Sequence, residues 1–506
     1  MSIEKFREEI NKGYTFKGDS LMIGAAILNG EPVADAQIKI PLKSLNRHGL
    51  IAGATGTGKT KSLQVFAEQL SEKGIPTLLM DLKGDLSGLA KEGSNNKHIE
   101  WRHGAIGISY EPKPMPVELM SISEEKGVKL KATISEFGPV LISKILDLNT
   151  TQSGILSIIF KYSDDNKLPL VDIKDLKKLL QFAKSEGKEE FKAEYGTMSS
   201  ASMGTILRKL VELEQQGANL FFGERSFEVE DLLKKTHDGK GLINIIRLTD
   251  IQDRPKLFST FMLSLLAEVY HEFPEQGDAD KPKLCIFIDE AHLVFDNASK
   301  PLLEQIESIV KLIRSKGVGI YFVTQNPTDV PDAVLSQLGL KIQHALRAFT
   351  AKDRKAIKKT SENYPISDFY KTDEVLTSLG IGEALVTCLN EKGVPTPLAA
   401  TLMRAPKTRM DILTVSEIKE VVKKSNLTAK YNEDIDSDSA YEMLNKKIAK
   451  IKEKQKKTEA KAPTKRKSSK KETSFIESVS KNTMVRQLGR TIMRELTRGL
   501  LGKFGR

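Results

Sequence analysis

Residues 53–60 read Gly-Ala-Thr-Gly-Thr-Gly-Lys-Thr, and residues 284–290 read Leu-Cys-Ile-Phe-Ile-Asp-Glu. The first stretch fits the phosphate loop G-x-x-x-x-G-K-[ST], with Gly53, Gly58, Lys59 and Thr60 in register. Its flanks suit it. Leu50 to Ala52 end an apolar strand, and residues 61–73 place Leu63, Phe66, Ala67 and Leu70 at helical spacing. A strand, a glycine loop and a helix N-terminus in sequence make an anion site, because loop N–H groups and the helix dipole converge on phosphate oxygens. Glycines serve there because no Cβ intrudes where backbone touches phosphate. The expected nucleotide-binding residues are Gly53, Ala54, Thr55, Gly56, Thr57, Gly58, Lys59, Thr60 and Lys61, with ATP and Mg2+ as cofactors. Lys59 is expected to bridge the β- and γ-phosphates and the Thr60 hydroxyl to complete the magnesium shell.

The second stretch is a strand-forming apolar run that delivers two carboxylates to its end, as a buried central strand does at an active-site edge. Asp289 is placed to hold the magnesium, and Glu290 to orient and deprotonate the attacking water. The plainer alternative makes both acids the polar end of a strand that opens a helix.

With 506 residues, 39% of them hydrophobic, the chain can bury one large core with inserts, or two or three domains. Its N-terminus, Met-Ser-Ile-Glu-Lys-Phe-Arg-Glu-Glu-Ile, is charged throughout, which argues against a secretory signal. No apolar run approaches the ~18 residues of a spanning helix, so no integral membrane segment and a cytoplasmic location are expected. Only Cys285 and Cys388 occur, both inside apolar runs, so buried free thiols are expected rather than disulfides or a metal site. The formal net charge of +11 is concentrated in a tail. Residues 446–471 carry thirteen basic and two acidic side chains, and residues 472–506 add seven basic and three acidic, which leaves 1–445 at −4.

Along the chain, residues 1–47 hold short strand candidates near Leu21–Ala26 and Ile38–Ile40 that lead into a core made of 48–104 and 236–410. Ile75–Met80 is an apolar strand closing on Asp81-Leu-Lys-Gly-Asp85, a further candidate active-site edge. Residues 105–235 show helical patterning, at Leu176–Phe182 and Ile206–Leu213 for example, and read as an inserted helical subdomain. Strand patterns resume at Gly241–Leu248, at the acidic strand, at Gly319–Thr324, at Ile342–Leu346 and at Gly382–Leu389. A helix with Leu302, Leu303, Ile306, Ile309, Val310 and Ile313, closed by Gly317, separates two of them. Strand–helix–strand repeats imply a mainly parallel sheet covered on both faces. Ile75–Met80 and Gly241–Leu248 intervene between the phosphate-loop and acidic strands, so at least one further strand is expected between those two. Gln325, at the tip of Gly319–Thr324, is a candidate to sense the γ-phosphate or position the water; the alternative is an amide that caps the turn before Pro327.

Several segments together resemble the HerA/FtsK group of motor ATPases, and within it a branch of bacterial HerA-like proteins: residues 48–60, 81–89, 281–292, 313–319 (Ile-Arg-Ser-Lys-Gly-Val-Gly), 324–327 (Thr-Gln-Asn-Pro) and 343–350. The resemblance spans about residues 48–350, and more weakly to about 400. It implies a RecA-like core, a homo-hexameric ring, and ATP-driven movement of DNA. In such rings an arginine from the neighbouring subunit reaches the γ-phosphate; by position Arg314 and Arg347 are the candidates, with Arg208 and Lys144 weaker ones. For Arg314 a solvated helix face is an equal alternative. HerA itself carries an N-terminal β-barrel that recruits a nuclease, and the 47 residues before His48 are too few for it, which leaves the nuclease partnership in doubt. Two alternatives stand beside the DNA motor: a ring ATPase acting on protein, and a nucleotide-switched scaffold with little turnover, against which the Asp289–Glu290 pair counts.

Residues 411–471 read as a charged linker, lysine-rich from 446, either a sequence-independent nucleic-acid binder or a solvated segment. Residues 472–506 read as a basic amphipathic helix, with Met484, Leu488, Ile492, Leu496, Leu500 and Phe504 on one ladder and Arg486, Arg490, Arg494 and Arg498 on another. Such a helix can dock on the ATPase body, a neighbouring subunit or another protein, or on an anionic membrane surface.

Overall fold

In the computed structural model, which describes residues 2–277, 279–295, 300–348, 350–433, 435 and 437–459, twelve strands form one sheet. In chain order they are β1 (Ser20–Leu28), β2 (Glu31–Pro41), β3 (Gly49–Ala52), β4 (Thr77–Asp81), β5 (Val117–Ser121), β6 (Val128–Lys129), β7 (Ile243–Arg247), β8 (Leu284–Ile288), β9 (Val318–Thr324), β10 (Leu340–His344), β11 (Glu383–Thr387) and β12 (Ala399–Met403). Their order across the sheet is β2-β1-β12-β11-β10-β3-β9-β8-β4-β7-β5-β6. From β10 to β6 every pairing is parallel, and from β10 to β2 every pairing is antiparallel. The parallel strands are near-continuous apolar runs because helices cover both faces; all five residues of β4 and of β8 are buried.

One strand does separate the phosphate-loop strand β3 from the acidic strand β8, but it is β9. β4 and β7, which intervene in sequence, lie on the far side of β8. From β3 the chain crosses outward to β4 and only later returns through β7 to β8, so linear order does not give lateral order. The helix Lys59–Glu72 packs on this centre through Phe66, whose ring meets Phe287 of β8 and Tyr321 of β9, both centroids 6.4 Å away. Phe287 and Tyr321 stack on each other at 4.6 Å.

The N-terminal segment holds more than strands. A helix, Ile3–Tyr14, capped by Ser2, buries Phe6, Ile10 and Tyr14 at i, i+4 and i+8, and the β1–β2 hairpin extends the sheet through β12. Cys285 and Cys388 are buried free thiols. Among the described residues no helix is long and apolar enough to cross a membrane.

The chain divides into two compact units, residues 1–130 with 227–433, and residues 131–226 with 434–506. The second is helical, and narrower than the expected 105–235. Val117–Lys129 supplies β5 and β6, drawn into the sheet because Leu119 and Met120 are fully buried there. Within the helical unit, Thr133, Asn149 and Asp172 each close a capping box, and Tyr162 stacks on Phe191 with centroids 4.2 Å apart.

The span 411–459 is not a linker. Leu413 and Ile418 join the sheet unit's core, and Tyr431 donates to Asp231. The helix Ala440–Glu459 belongs to the helical unit, where Ala440, Leu444 and Ile448 are buried at four-residue spacing. Asp175 receives the Tyr441 N–H at 2.7 Å and the Ser439 hydroxyl, and Lys447 reaches the Tyr162 hydroxyl at 2.7 Å and Glu190 at 2.9 Å. The expected helix of 472–506 lies outside the described residues.

Candidate functional site

The phosphate loop leaves β3 at Gly53, held between its two neighbours: Gly53 N–H donates to the Thr324 carbonyl of β9 (3.3 Å), and Ala54 N–H to the Ala345 carbonyl just past β10 (2.8 Å). Gly53, Gly56 and Gly58 have φ of 151°, 78° and 115°, which L side chains rarely adopt. A Cβ on Gly53 would come within 2.5 Å of the His344 side chain, and one on Gly58 within 3.2 Å of the Gly382 backbone. The Lys59 ammonium donates to the Gly53 carbonyl (2.6 Å) and the Ala54 carbonyl (3.1 Å). Thr60, half-buried, sits in the first helical turn beside it, Thr55 and Gly56 are exposed, and Thr57 Oγ1 donates back to Ala54. Lys61 turns away from the loop, its ammonium donating to the Met410 carbonyl at 2.6 Å.

Asp289 and Glu290 close β8 and are buried, 5% and 6% exposed. Burial, then the Glu290 charge, pushes the Asp289 carboxyl up to about 6. On the next strand, burial and then Asp85 push fully buried Asp81 up to about 7. Burial lowers Lys59, and Lys83 lowers it further, whereas Glu290, Asp289 and Asp85 raise it; all five charged groups therefore share one field at the carboxyl edge of β3, β4 and β8. The Thr60 hydroxyl and the Asp289 carboxylate are oxygen donors of the kind Mg2+ takes, while among the described residues no cluster of three or more His, Cys, Asp and Glu side chains could hold a metal.

Beyond Asp289 and Glu290, the structure adds residues that spacing does not reveal. Lys83, within the Asp81–Asp85 segment, pairs with Glu290 Oε1. His344 is buried under the loop; its Nδ1–H donates to the Glu383 carbonyl and its Nε2 accepts from Ser62 Oγ, both at 2.9 Å, and burial, with Lys59 nearby, lowers it to about 4. Arg102 donates to the carbonyls of Ile381, Gly382 and Met403, each at 3.0 Å, and Gly382 N–H in turn donates to the Thr57 carbonyl at 2.9 Å. A loop on the antiparallel side therefore buttresses the phosphate loop.

Gln325 is half-buried at the carboxyl end of β9, and Arg347 is exposed three residues past β10, both at the phosphate-loop edge. Arg314 precedes β9 at the opposite edge, exposed along a cleft with Lys43, Arg47, Lys311 and Glu391. Its own phosphate loop is at the other end of the strands. Arg208 and Lys144 lie in the helical unit.

A parallel sheet with a glycine-rich loop, a lysine and a threonine at one strand end, and an acid pair two strands away, defines a P-loop ATPase with a RecA-like core. Residues 27–506 match the helicase HerA-like C-terminal family, and the chain belongs to that family. It is 24% identical over 370 residues to the DNA double-strand break repair helicase HerA of Sulfurisphaera tokodaii, covering 70% of this chain and 64% of that protein, and 26% identical to a probable helicase of Methanocaldococcus jannaschii, covering 70% and 66%. The chain thus spans a little under two thirds of these relatives. Among solved structures, the bacterial conjugative coupling protein TrwB superposes with a TM-score of 0.53 at 13% identity, over 80% of this chain and 94% of that one; VirB4 of Thermoanaerobacter pseudethanolicus gives 0.50 at 15%, over 78% and 98%. TrwB has been solved with an ATP analogue, and with ADP and Mg2+.

Proposed function

We propose that the chain hydrolyses ATP in a homo-hexameric ring and uses the cycle to translocate on or remodel DNA, in the cytoplasm. The observation that carries hydrolysis, rather than binding alone, is the buried Asp289–Glu290 pair, with one strand between it and the phosphate-loop strand, in one field with Lys59. In this reading the loop residues 53–60 receive the phosphates, and Lys59 trades its two carbonyl partners for β- and γ-phosphate oxygens. Lys61 contributes its backbone, since its side chain is engaged with Met410. Thr60 and Asp289 would hold Mg2+, which supplies charge neutralisation between the β- and γ-phosphates. Glu290 takes the proton of the attacking water, and Gln325 senses the γ-phosphate. Arg314, remote from its own loop, fits a role on a neighbouring subunit's nucleotide; Arg347, at the same edge as the loop, fits a sensing role in cis. DNA as the track is supported by membership in the HerA-like family and by what the relatives are named for.

The test is steady-state ATP hydrolysis with and without single- and double-stranded DNA at two salt concentrations, with Lys59→Ala as the blank. The expected outcome is hydrolysis that DNA stimulates and the blank abolishes. Robust hydrolysis indifferent to DNA would refute the DNA motor and point to a protein substrate.

A further inference from the structure

The turn Asp81-Leu-Lys-Gly-Asp85 is built around its first side chain. The Asp81 carboxylate accepts the N–H groups of Gly84 (2.7 Å), Asp85 (3.2 Å) and Leu86 (3.1 Å), and Gly84 supplies the left-handed φ of 79° the wrap requires. β4 and β8 are parallel neighbours with Met80 opposite Ile288, so Asp81 and Asp289 end their strands side by side. The residues that follow meet across the gap: Lys83 with Glu290. Glu290 itself has φ of 47°, left-handed for a side-chain-bearing residue, and the next N–H, that of Ala291, crosses to the Val323 carbonyl of β9 at 2.9 Å. The backbone of Glu290 is thereby fixed, but its carboxylate is not held by backbone: among the described residues neither oxygen accepts a hydrogen bond of good geometry. What acts on it is charged: Lys83 from the β4 turn, Lys59 from the phosphate loop, and Asp289 and His292 from its own segment, His292 Nδ1 at 3.3 Å. Lys83 and His292 are within ion-pair distance of it.

We propose that Lys83 is a positioning residue for hydrolysis, its ammonium fixing the Glu290 carboxylate at the sheet edge so that it meets the attacking water in one orientation. This rests on Glu290 being the general base. A buried carboxylate on a flexible stem loses its aim when the cation beside it is removed, and a misplacement on the order of 1 Å costs roughly a hundredfold in rate. Lys83 is partly exposed and its stem is apolar, so methionine keeps the packing and removes only the charge.

The experiment uses the full chain and compares wild type, Lys83→Met, Lys83→Arg, Glu290→Gln and the Lys83→Met/Glu290→Gln double variant, reading kcat, KM and the Kd of a fluorescent ATP analogue, with melting temperature as the folding control. Lys83→Met is expected to lower kcat about 30- to 100-fold, with KM and Kd within about twofold of wild type. Lys83→Arg is expected to recover most of that loss, and the double variant to be no slower than Glu290→Gln alone. An unchanged or raised kcat in Lys83→Met, a Kd that rises in step with the loss, or losses that add in the double variant would each overturn the proposal. If Glu290→Gln hydrolyses like wild type, the base assignment falls and the proposal with it; if Glu290→Gln is inactive and Lys83→Met is not, the proposal fails alone.

Discussion

Replacing Arg102 by alanine tests whether the loop around Gly382 supports the phosphate loop or merely lies against it. The guanidinium makes three hydrogen bonds of 3.0 Å to the carbonyls of Ile381, Gly382 and Met403. Hydrogen bonds from a charged donor contribute about 1.5–3 kcal/mol each when they cannot be replaced by water. Two of the three carbonyls soften the loss: that of Ile381 is exposed and rehydrates, and that of Gly382 keeps the Met403 N–H at 2.9 Å. The expected cost is therefore about 2–3 kcal/mol, close to one full bond plus fractions of two. Lysine cannot reproduce a planar fork that serves three acceptors, so Arg102→Lys should recover no more than about 1 kcal/mol. Because Gly382 N–H holds the Thr57 carbonyl at 2.9 Å, the same change should loosen the anion cradle and raise the Kd for ATP about tenfold, or about 1.4 kcal/mol. Urea unfolding measures the first quantity and titration with a fluorescent ATP analogue the second. A stability loss below about 0.5 kcal/mol, or a lysine variant equal to wild type, refutes the energetic reasoning; a full stability loss with unchanged Kd refutes the buttress.

Two further outcomes follow from buried acids. Burial, then Asp85, raises Asp81 to about 7, so its protonated form is favoured in the folded chain; the stability this provides is complete below the ordinary carboxylate range and is lost as pH rises through 7. His48 and His344, which burial lowers to about 4, pull the other way, because the unfolded chain still binds their protons at about pH 6.5 and the folded chain does not, so the Asp81 contribution is read as the difference between wild type and Asp81→Asn. Without Mg2+ or nucleotide, the melting temperature of wild type relative to Asp81→Asn should fall as pH rises from about 5 to about 8; a difference that stays flat or rises over that range would contradict the assignment. In the helical unit, fully buried Asp175 accepts the N–H groups of Val171 (2.8 Å), Asp172 (3.0 Å) and Tyr441 (2.7 Å) and the Ser439 hydroxyl. Asp175→Ala should cost about 3 kcal/mol or more and speed limited proteolysis between 434 and 459; a cost below about 1 kcal/mol would show that the Ala440–Glu459 helix is held by its apolar face alone.

The parts of this site that chemistry places close together in sequence were legible there. Gly53 to Thr60 and Asp289–Glu290 declare themselves because a phosphate loop must be contiguous and a buried strand must end where its acids are needed. Lys83 lay inside a segment already marked by its strand-then-acid pattern, but nothing local says that an ammonium at that position faces an acid more than two hundred residues on. Arg102 is harder still: its partners are 279 to 301 residues away, and an arginine on a short helix with an exposed Trp101 beside it reads as surface. The identity of the strand between β3 and β8 escaped because crossovers scramble lateral order, and β5 and β6 escaped because two short strands inside a helical stretch are too brief to show a period. The Ile3–Tyr14 helix did carry a readable signal, a serine cap followed by Phe6, Ile10 and Tyr14 four residues apart.

The helical unit is assembled from two stretches of chain that the sheet unit separates by more than two hundred residues, and its second stretch is the helix into which the lysine-rich run begins. Ala440, Leu444 and Ile448 are core of that unit, while the lysines from Lys446 to Lys457 supply part of the charge attributed to a tail. A deletion meant to strip away the basic end by stopping near residue 433 would therefore also unroof the helical unit, and any loss of DNA binding or turnover it produced would be uninterpretable. A stop codon placed after Glu459 separates the two questions, because it leaves Asp175 and Lys447 with their partners.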